Sequence, residues 1–384
     1  MMAKNLLPVI FLLAIPCLFS SPLYSPSWGF TVDLPEDYEY QGGDGKDQFS
    51  FENPDGAKFD IRVYGAAQAQ YSSVEEMAKS VQAQLKSTGS MDSFTYRGKN
   101  ACLLELAFLL PGGSPMAGWA LCVELAQTGA ARPLLLAMAY GPAEKTGRSD
   151  NDLSYLHFSA LDSIAPEESD LLVPGPITDY SYPREVRFKT PIFGLDLYAW
   201  IFEDDAEASQ ALIDREFKVL RRHENASDWQ EAWIRFYRAI YRDSFDRLTD
   251  IAFQVERKLN VPSLEEREFA DAVLKWIQSF TYERELFGSD FINLVSAAAD
   301  GRGDCDNRSM LWAIVLKQAG TKSAIMVSRS LSHAMGLADL GGTGARFELN
   351  GEKLLVAETT ADVSTGLINR DYSDIENWLG ISFD

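Results

Sequence analysis

The segment at residues 301–309 brings together the residue types from which reactive cysteines are built. Gly301 and Gly303 precede Asp304 and Cys305, and after a few more polar residues an apolar run covers positions 310–316. Glycines before a polar cluster and a helix-forming run predict a tight loop that turns into a buried helix. Cys305 would lie in its first turn, where unpaired N–H groups and the helix dipole stabilise an anion. The position favours a thiolate and nucleophilic chemistry.

A cysteine nucleophile needs a base, and the chain has 3 histidines. His223 follows two arginines at the polar end of a predicted helix, and His157 lies in a short amphipathic segment, so both are interpreted as structural. His333 instead opens an apolar segment that follows the strand-like residues 322–328. We therefore predict His333 as the base.

A third group must orient the imidazole, and a carboxylate on a neighbouring strand would do so. Residues 346–349 and 353–357 flank Asn350-Gly351, which predicts a β-hairpin with a two-residue turn. Glu358 ends the second strand and is the predicted acid. Asp362 is the alternative.

Taken in order, these motifs resemble the transglutaminase-like superfamily of papain-type cysteine enzymes. The resemblance covers roughly residues 263 to 366: a helix with Trp276, Tyr282, then Gly-Arg-Gly-Asp-Cys, an apolar helix, His-Ala, and Glu-Thr-Thr. It implies a papain-like α+β domain with Cys305 as nucleophile, His333 as base and Glu358 as orienting acid. The acid is commonly Asp in the superfamily, and many members have Trp where this chain has Met335.

Several functions share this arrangement. If water accepts the acyl group the protein is a protease or amidase acting on peptide or protein amides, and this is the preferred interpretation because water is the default acceptor. If an amine accepts it, the protein is a cross-linking transglutaminase. A non-catalytic envelope protein that binds peptides or proteins, and a redox-sensing thiol, are the alternatives without acyl transfer.

The remaining chain divides into segments that position this domain. Residues 22–165 predict an antiparallel sheet with two packed helices, in an order that loosely resembles PsbP-like domains and suggests a binding role. The proline-rich residues 166–183 predict a linker. Residues 184–262 predict a strand pair and long helices whose aromatic stripe, from Trp229 to Tyr237, is interpreted as core. The predicted fold class is α+β, with the catalytic domain at 263–384.

The amino terminus predicts export. Residues 1–20 combine Lys4 with an apolar run and small residues, the pattern of a signal peptide. Lipid anchoring at Cys17 is disfavoured because Pro16 precedes it, so a periplasmic or extracellular protein is expected. Cys102 and Cys122 flank a predicted turn symmetrically, and a disulfide between them is one of two open possibilities. Cys305 is then the odd thiol.

Charge and motif content limit the partners. The formal net charge of −21 argues against binding nucleic acid or an anionic membrane surface. No spacing typical of metal ligands or of a phosphate-binding loop occurs, so neither metal nor cofactor is expected. A second long apolar stretch is absent from the sequence, so no membrane span is expected after the signal segment.

Overall fold

The computed structural model describes residues 22–65, 70–127, 132–147, 152–260, 264–284 and 291–383. The predicted signal peptide at 1–20, with Cys17, lies outside the described residues. Among the helices of the described part, none is both long and apolar enough to cross a lipid bilayer.

The first large unit is a seven-stranded antiparallel sheet with strand order β3-β4-β5-β9-β8-β7-β6. A short pair, β1 (Leu23–Tyr24) and β2 (Thr31–Val32), precedes it. The seven strands are β3 (Glu39–Gly43), β4 (Gln48–Glu52), β5 (Lys58–Tyr64), β6 (Met91–Tyr96), β7 (Lys99–Leu109), β8 (Pro115–Glu124) and β9 (Leu134–Pro142).

Each face of this sheet is covered by one helix. Helix α1 (Val74–Leu85) begins at Ser73, whose hydroxyl accepts the N–H of Glu76, and packs Met77 and Val81 on one face. Helix α2 (Ser154–Asp162) packs Leu156 on the other. The predicted antiparallel sheet with two helices is confirmed.

Cys102 and Cys122 are direct cross-strand partners in β7 and β8. Both are buried, and both are free thiols. The register that the turn at Gly112 predicts is therefore present, without a disulfide bond between the two sulfurs.

The predicted linker at 166–183 contains helical turns that pack against the rest of the chain. Helix α3 (Pro176–Ser181) begins under the buried carboxylate of Asp162, which accepts the N–H groups of Ile177 and Thr178. Tyr96 in β6 donates its hydroxyl to the carbonyl of Pro174. The segment is thus a folded connection.

A strand pair and three long helices follow. They are β10 (Arg187–Ile192), β11 (Leu197–Phe202), α4 (Asp205–Arg222), α5 (Trp229–Arg247) and α6 (Thr249–Leu259). The predicted strand pair and long helices are thus present, and Leu248, with φ −87° and ψ 0°, separates α5 from α6.

The last part combines helices with a second sheet. Helix α7 (Glu266–Gln278) has Glu265 as its N-cap, and Glu268 closes the capping box. The elements that follow are β12 (Thr281–Tyr282), α8 (Leu294–Asp300), β13 (Arg302–Gly303), α9 (Cys305–Gln318), β14 (Ser323–Ser328), β15 (His333–Ala338), β16 (Arg346–Leu349), β17 (Glu352–Ala357) and β18 (Leu379–Ile381). The second sheet is antiparallel in the order β16-β17-β15-β14-β18.

Helix α9 lies in the middle of the larger hydrophobic core. Every residue from Met310 to Leu316 is fully buried, as expected for a helix that is apolar on all sides. Gly336 in β15 permits its close approach, since a Cβ atom there would lie 2.4 Å from Cε3 of Trp312. This contact fixes the height of α9 above the strand that begins with His333.

Candidate active site

Cys305 is the first residue of α9, as the sequence predicts. Asp304 is the N-cap; its carboxylate accepts the N–H groups of Asp306 and Asn307, and the Asn307 side chain accepts the N–H of Asp304 in return. Gly303, with φ +147°, makes the sharp turn into the helix. The local sequence therefore places the thiol at a helix amino terminus without help from distant residues.

The structure also brings His333 and Glu358 together. His333 opens β15 and Glu358 directly follows β17, the neighbouring antiparallel strand. The Nε2 atom of His333 lies 2.8 Å from Oε2 of Glu358. The other carboxylate oxygen accepts the N–H and the hydroxyl of Thr360. Asp362, the alternative acid, is exposed and makes no such contact.

The sulfur of Cys305 lies against the start of β15. The N–H of Ala334, the residue after His333, is close enough to the sulfur to lower the pKa of the Cys305 thiol. Glu358 engages Nε2 of His333, so Nδ1 lies outside this pair. The structure thus pairs His333 with Glu358 and places Cys305 on α9, close to the start of β15.

The pKa of the Cys305 thiol is not lowered, although the helix amino terminus alone would lower it. Burial raises the pKa of the Cys305 thiol well above its usual value, and the carboxylates of Asp306 and Asp304 raise it further. The Ala334 N–H and the Arg284 charge lower it by less. The raised pKa favours the neutral thiol in the resting site and contradicts the sequence prediction of a stabilised thiolate.

Arg308 ties the segments of the site to one another. This buried side chain donates to the carbonyls of Gly303, Phe280 and Thr359. The carbonyls belong to the loop before Cys305, the end of the α7 segment and the residue after Glu358. One planar guanidinium therefore fixes three separate pieces of backbone.

Aromatic rings cover the imidazole of His333. The ring of Tyr372 lies 4.8 Å from it and that of Trp378 lies 6.2 Å away at a steep angle. Met335 is fully buried beside Trp378 on the face of the sheet opposite α9. Trp378 is thus an aromatic neighbour of His333 that the sequence did not signal.

A cavity of about 460 Å³ opens beside His333 and Asp306. Its aromatic wall consists of Phe217, Trp233, Phe236, Tyr237 and Phe291. The interpretation of the α5 stripe as core is confirmed, since Phe236 and Tyr237 are buried in the larger hydrophobic core, and the stripe also borders the candidate site. Tyr237 connects the two, since its hydroxyl donates to Asp306 at 2.7 Å.

Two groups near the sulfur are suited to bind an oxyanion. The Cys305 N–H is at the first helical position, and among the described residues it donates to no acceptor. Tyr282 pairs with Gly303 through β12 and β13, two residues before the cysteine. Burial raises the pKa of its phenol to about 12, with Cys305 and Asp304 adding to the effect.

Asp304, Cys305 and Asp306 form the one group in the described part of the chain with a spacing that suits a metal ion. The Asp304 carboxylate, however, caps α9, and Asp306 accepts the Tyr237 hydroxyl. Both carboxylates are explained by the helix start.

The other two histidines lie away from this site. His157 is buried beside Trp119, and burial lowers its pKa to about 4. His223 contacts Asp228 through Nδ1 at 3.1 Å. Both fit the structural roles that the sequence predicts.

Comparison with known proteins gives no assignment. No family model matches the chain, and no curated protein matches it. Among solved structures, LpqN of Mycobacterium tuberculosis, described as involved in cell envelope biogenesis, has 14% identity and a TM-score of 0.24 over 33% of this chain and 79% of its own. The cyanobacterial PsbP of Synechocystis has 8% identity and a TM-score of 0.27 over 38% and 91%. Both likenesses are too weak to establish a shared fold, and the transglutaminase-like resemblance stays a prediction.

Proposed function

We propose that this chain is an exported, cysteine-dependent acyl-transfer enzyme that hydrolyses peptide or protein amides through a thioester on Cys305. One observation carries the proposal: the His333 imidazole is held by Glu358, and Cys305 begins α9 close to the start of the strand that His333 opens. The resemblance of residues 263 to 366 to transglutaminase-like enzymes supports the same roles.

In the proposed reaction, His333 acts as a general base. It takes the Cys305 proton at Nδ1 as the sulfur attacks the carbonyl carbon, which suits a thiol whose pKa is raised in the resting state. Glu358 holds the ring through Nε2 and stabilises the imidazolium. The Cys305 N–H, and in our proposal the Tyr282 hydroxyl, donate to the oxyanion.

Collapse of the tetrahedral intermediate completes acylation. The carbon–nitrogen bond breaks, His333 gives its proton to the leaving amine, and the acyl group stays on sulfur as a thioester. His333 then removes a proton from water, which attacks the thioester and releases the acid and the thiol. A primary amine in place of water would give transamidation, the activity of a cross-linking transglutaminase.

A non-catalytic role in binding peptides or proteins of the cell envelope is the second candidate. The observation that favours it is the burial of Cys305, which is 4% exposed and carries a raised thiol pKa. A binding protein needs neither an accessible sulfur nor a base. Export, taken from residues 1–20, is common to both candidates.

The experiment is acylation of the mature protein by a 4-nitrophenyl ester and by a pool of peptide amides, followed by mass spectrometry. We expect a hydroxylamine-labile acyl group on Cys305 and cleaved peptides. Both should be lost in Cys305→Ala and reduced at least ~100-fold in His333→Ala. Adding an amine such as monodansylcadaverine distinguishes the two acceptors. Acylation of Cys305 that is unchanged in His333→Ala, or absent altogether, would leave the binding role.

A further inference from the structure

The cavity beside His333 has a charge balance opposite to that of the whole chain. The chain contains 56 acidic and 35 basic residues. The cavity is lined by Arg221, Arg284 and Arg329 against two carboxylates, Glu224 and Asp306. Asp306 accepts the Tyr237 hydroxyl at the base of the cavity. The cations come from separate elements, the end of α4, the residues after β12 and the loop after β14.

Arg221 and Arg329 are available to a ligand. Neither has a carboxylate within 4.0 Å among the described residues, although neighbouring Arg215 and Arg222 of α4 each contact two. Both are exposed. The Arg329 guanidinium lies 5.7 Å from the centre of the Trp229 ring. This cation–π contact helps to hold the guanidinium at the cavity.

Much of the remaining lining of the cavity is aromatic. Phe236, Tyr237 and Phe291 are nearly buried and contact one another edge to face. Trp233 extends this surface and is half-buried. A cavity that combines an aromatic wall with two guanidinium groups without a carboxylate partner fits a segment that carries an apolar side chain beside a carboxylate.

We propose that this cavity selects acidic peptides, with a peptide carboxylate bound by Arg221 and Arg329 and a neighbouring apolar side chain on the aromatic wall. The inference rests on the proposed function for the amide at Cys305, because His333 borders the same cavity. It names the substrate class that the cleft accepts. Arg221 and Arg329 are then specificity-determining residues that do not touch the reacting bond.

The test measures binding with Cys305→Ala, so that chemistry does not enter. The probes are four matched pairs of capped tetrapeptide amides, with Glu or Gln at one position, Phe beside it and Ala elsewhere. Calorimetry at about 50 mM salt is expected to show at least one pair whose Glu member binds ~10-fold more tightly. The preference should fall below ~3-fold in both Arg221→Gln and Arg329→Gln, and it should weaken as salt is raised.

Arg257→Gln is the matched control, an exposed arginine in the last turn of α6 and outside the cavity. It makes the same change in net charge and should leave the preference intact. Equal binding of Glu and Gln members, no measurable binding, or an equal effect of Arg257→Gln would overturn the inference. Cys305 acylation in the wild type is scored separately. Acylation without a Glu preference defeats this inference alone, and a Glu preference without acylation leaves an acidic-peptide-binding protein.

Discussion

The Nε2 atom of His333 lies 2.8 Å from Oε2 of Glu358 across two neighbouring antiparallel strands. Burial alone would raise the pKa of Glu358, but the hydrogen bond and charge of His333, with the Thr360 donors, outweigh it and lower that pKa below the usual value. A lowered pKa keeps the Glu358 carboxylate ionised at neutral pH, so that it can accept a hydrogen bond from the imidazole. The pair fixes the ring orientation and leaves Nδ1 outside it.

Glu358→Gln should destabilise the protein in a pH-dependent way. A carboxyl group whose pKa is lowered on folding stabilises the fold above its unfolded pKa of 4.5, and this stabilisation is lost as the pH falls through the folded value. Urea unfolding should show a loss of about 1–2 kcal/mol at pH 7 that shrinks below pH 4. The control is Glu352→Gln, an exposed carboxylate at the start of β17 whose pairing with Lys322 lies at the surface and contributes little. A deficit that is equal at all pH values would contradict the ionised pair.

Gly336→Ala should separate α9 from β15. The new Cβ atom would lie 2.4 Å from Cε3 of the buried Trp312, which has no space to retreat. We expect a loss of about 1–3 kcal/mol in the free energy of unfolding and slower acylation of Cys305. Gly341→Ala is the control, because nothing lies within 4 Å of a Cβ atom there. If the two variants unfold at the same urea concentration, the close approach is not a constraint.

Arg308→Lys should damage the site while keeping its charge. An ammonium group cannot replace a fork that donates to the carbonyls of Gly303, Phe280 and Thr359. Because the side chain is buried, about 2–3 kcal/mol of stability should be lost, and Cys305 acylation should slow even in folded protein. Arg302→Lys, on a partly exposed arginine paired at the surface, should cost less than about 0.5 kcal/mol. Equal effects of the two substitutions would mean that the fork does not matter.

The three central residues could be predicted because each has a local signal. Glycines and an N-cap precede Cys305, and a hairpin with an Asn-Gly turn ends at Glu358. His333 follows a strand and is the histidine that no helix end explains. Such signals lie within a few residues of the side chain they place, so the sequence alone was sufficient to name them.

The supporting residues could not be predicted, because their roles depend on contacts distant in sequence. Arg308 donates hydrogen bonds to the carbonyls of Phe280 and Thr359. The ring of Tyr372, which lies between β17 and β18 in the sequence, contacts His333. The prediction of a lowered thiol pKa failed for a related reason. The sequence shows the helix terminus, which favours the thiolate, but not the burial that outweighs it at Cys305.

Glu36→Gln should stabilise the protein at alkaline pH. Burial raises the pKa of Glu36 to about 7, and Asp33 adds to this while Arg235 and His223 act in the opposite sense. Since the folded pKa exceeds the unfolded value of 4.5, the carboxyl group favours folding below pH 4.5 and loses this effect as the pH rises through 7. The variant should gain about 1–3 kcal/mol at pH 8 and nothing at pH 4.5.

The measurement for Glu36 is the urea midpoint at both pH values, with Glu39→Gln, an exposed carboxylate nearby, as the control. His223 lies 3.9 Å and Arg235 3.8 Å from the Glu36 carboxylate. If the ion pairs with these groups dominate instead, Glu36→Gln will be less stable than the wild type at pH 8, which would contradict the prediction.

Oxidation should join Cys102 to Cys122 and spare Cys305. The first two are direct partners in an antiparallel pair, where Cα atoms are about 4.5–5.5 Å apart, within the range that a disulfide bridges. Counting thiols by alkylation of the denatured mature protein should give three before and one after mild oxidation, and peptide mapping should place the link between β7 and β8. The crosslinked form should unfold at a higher urea concentration, since a disulfide that closes a loop of this size contributes about 3 kcal/mol.

The control for this crosslink is Cys102→Ser, which should retain two thiols under the same treatment. A link that includes Cys305 would mean that its sulfur is more accessible than its burial indicates, and three surviving thiols would mean that the burial of Cys122, which raises its pKa, prevents formation of the reactive thiolate.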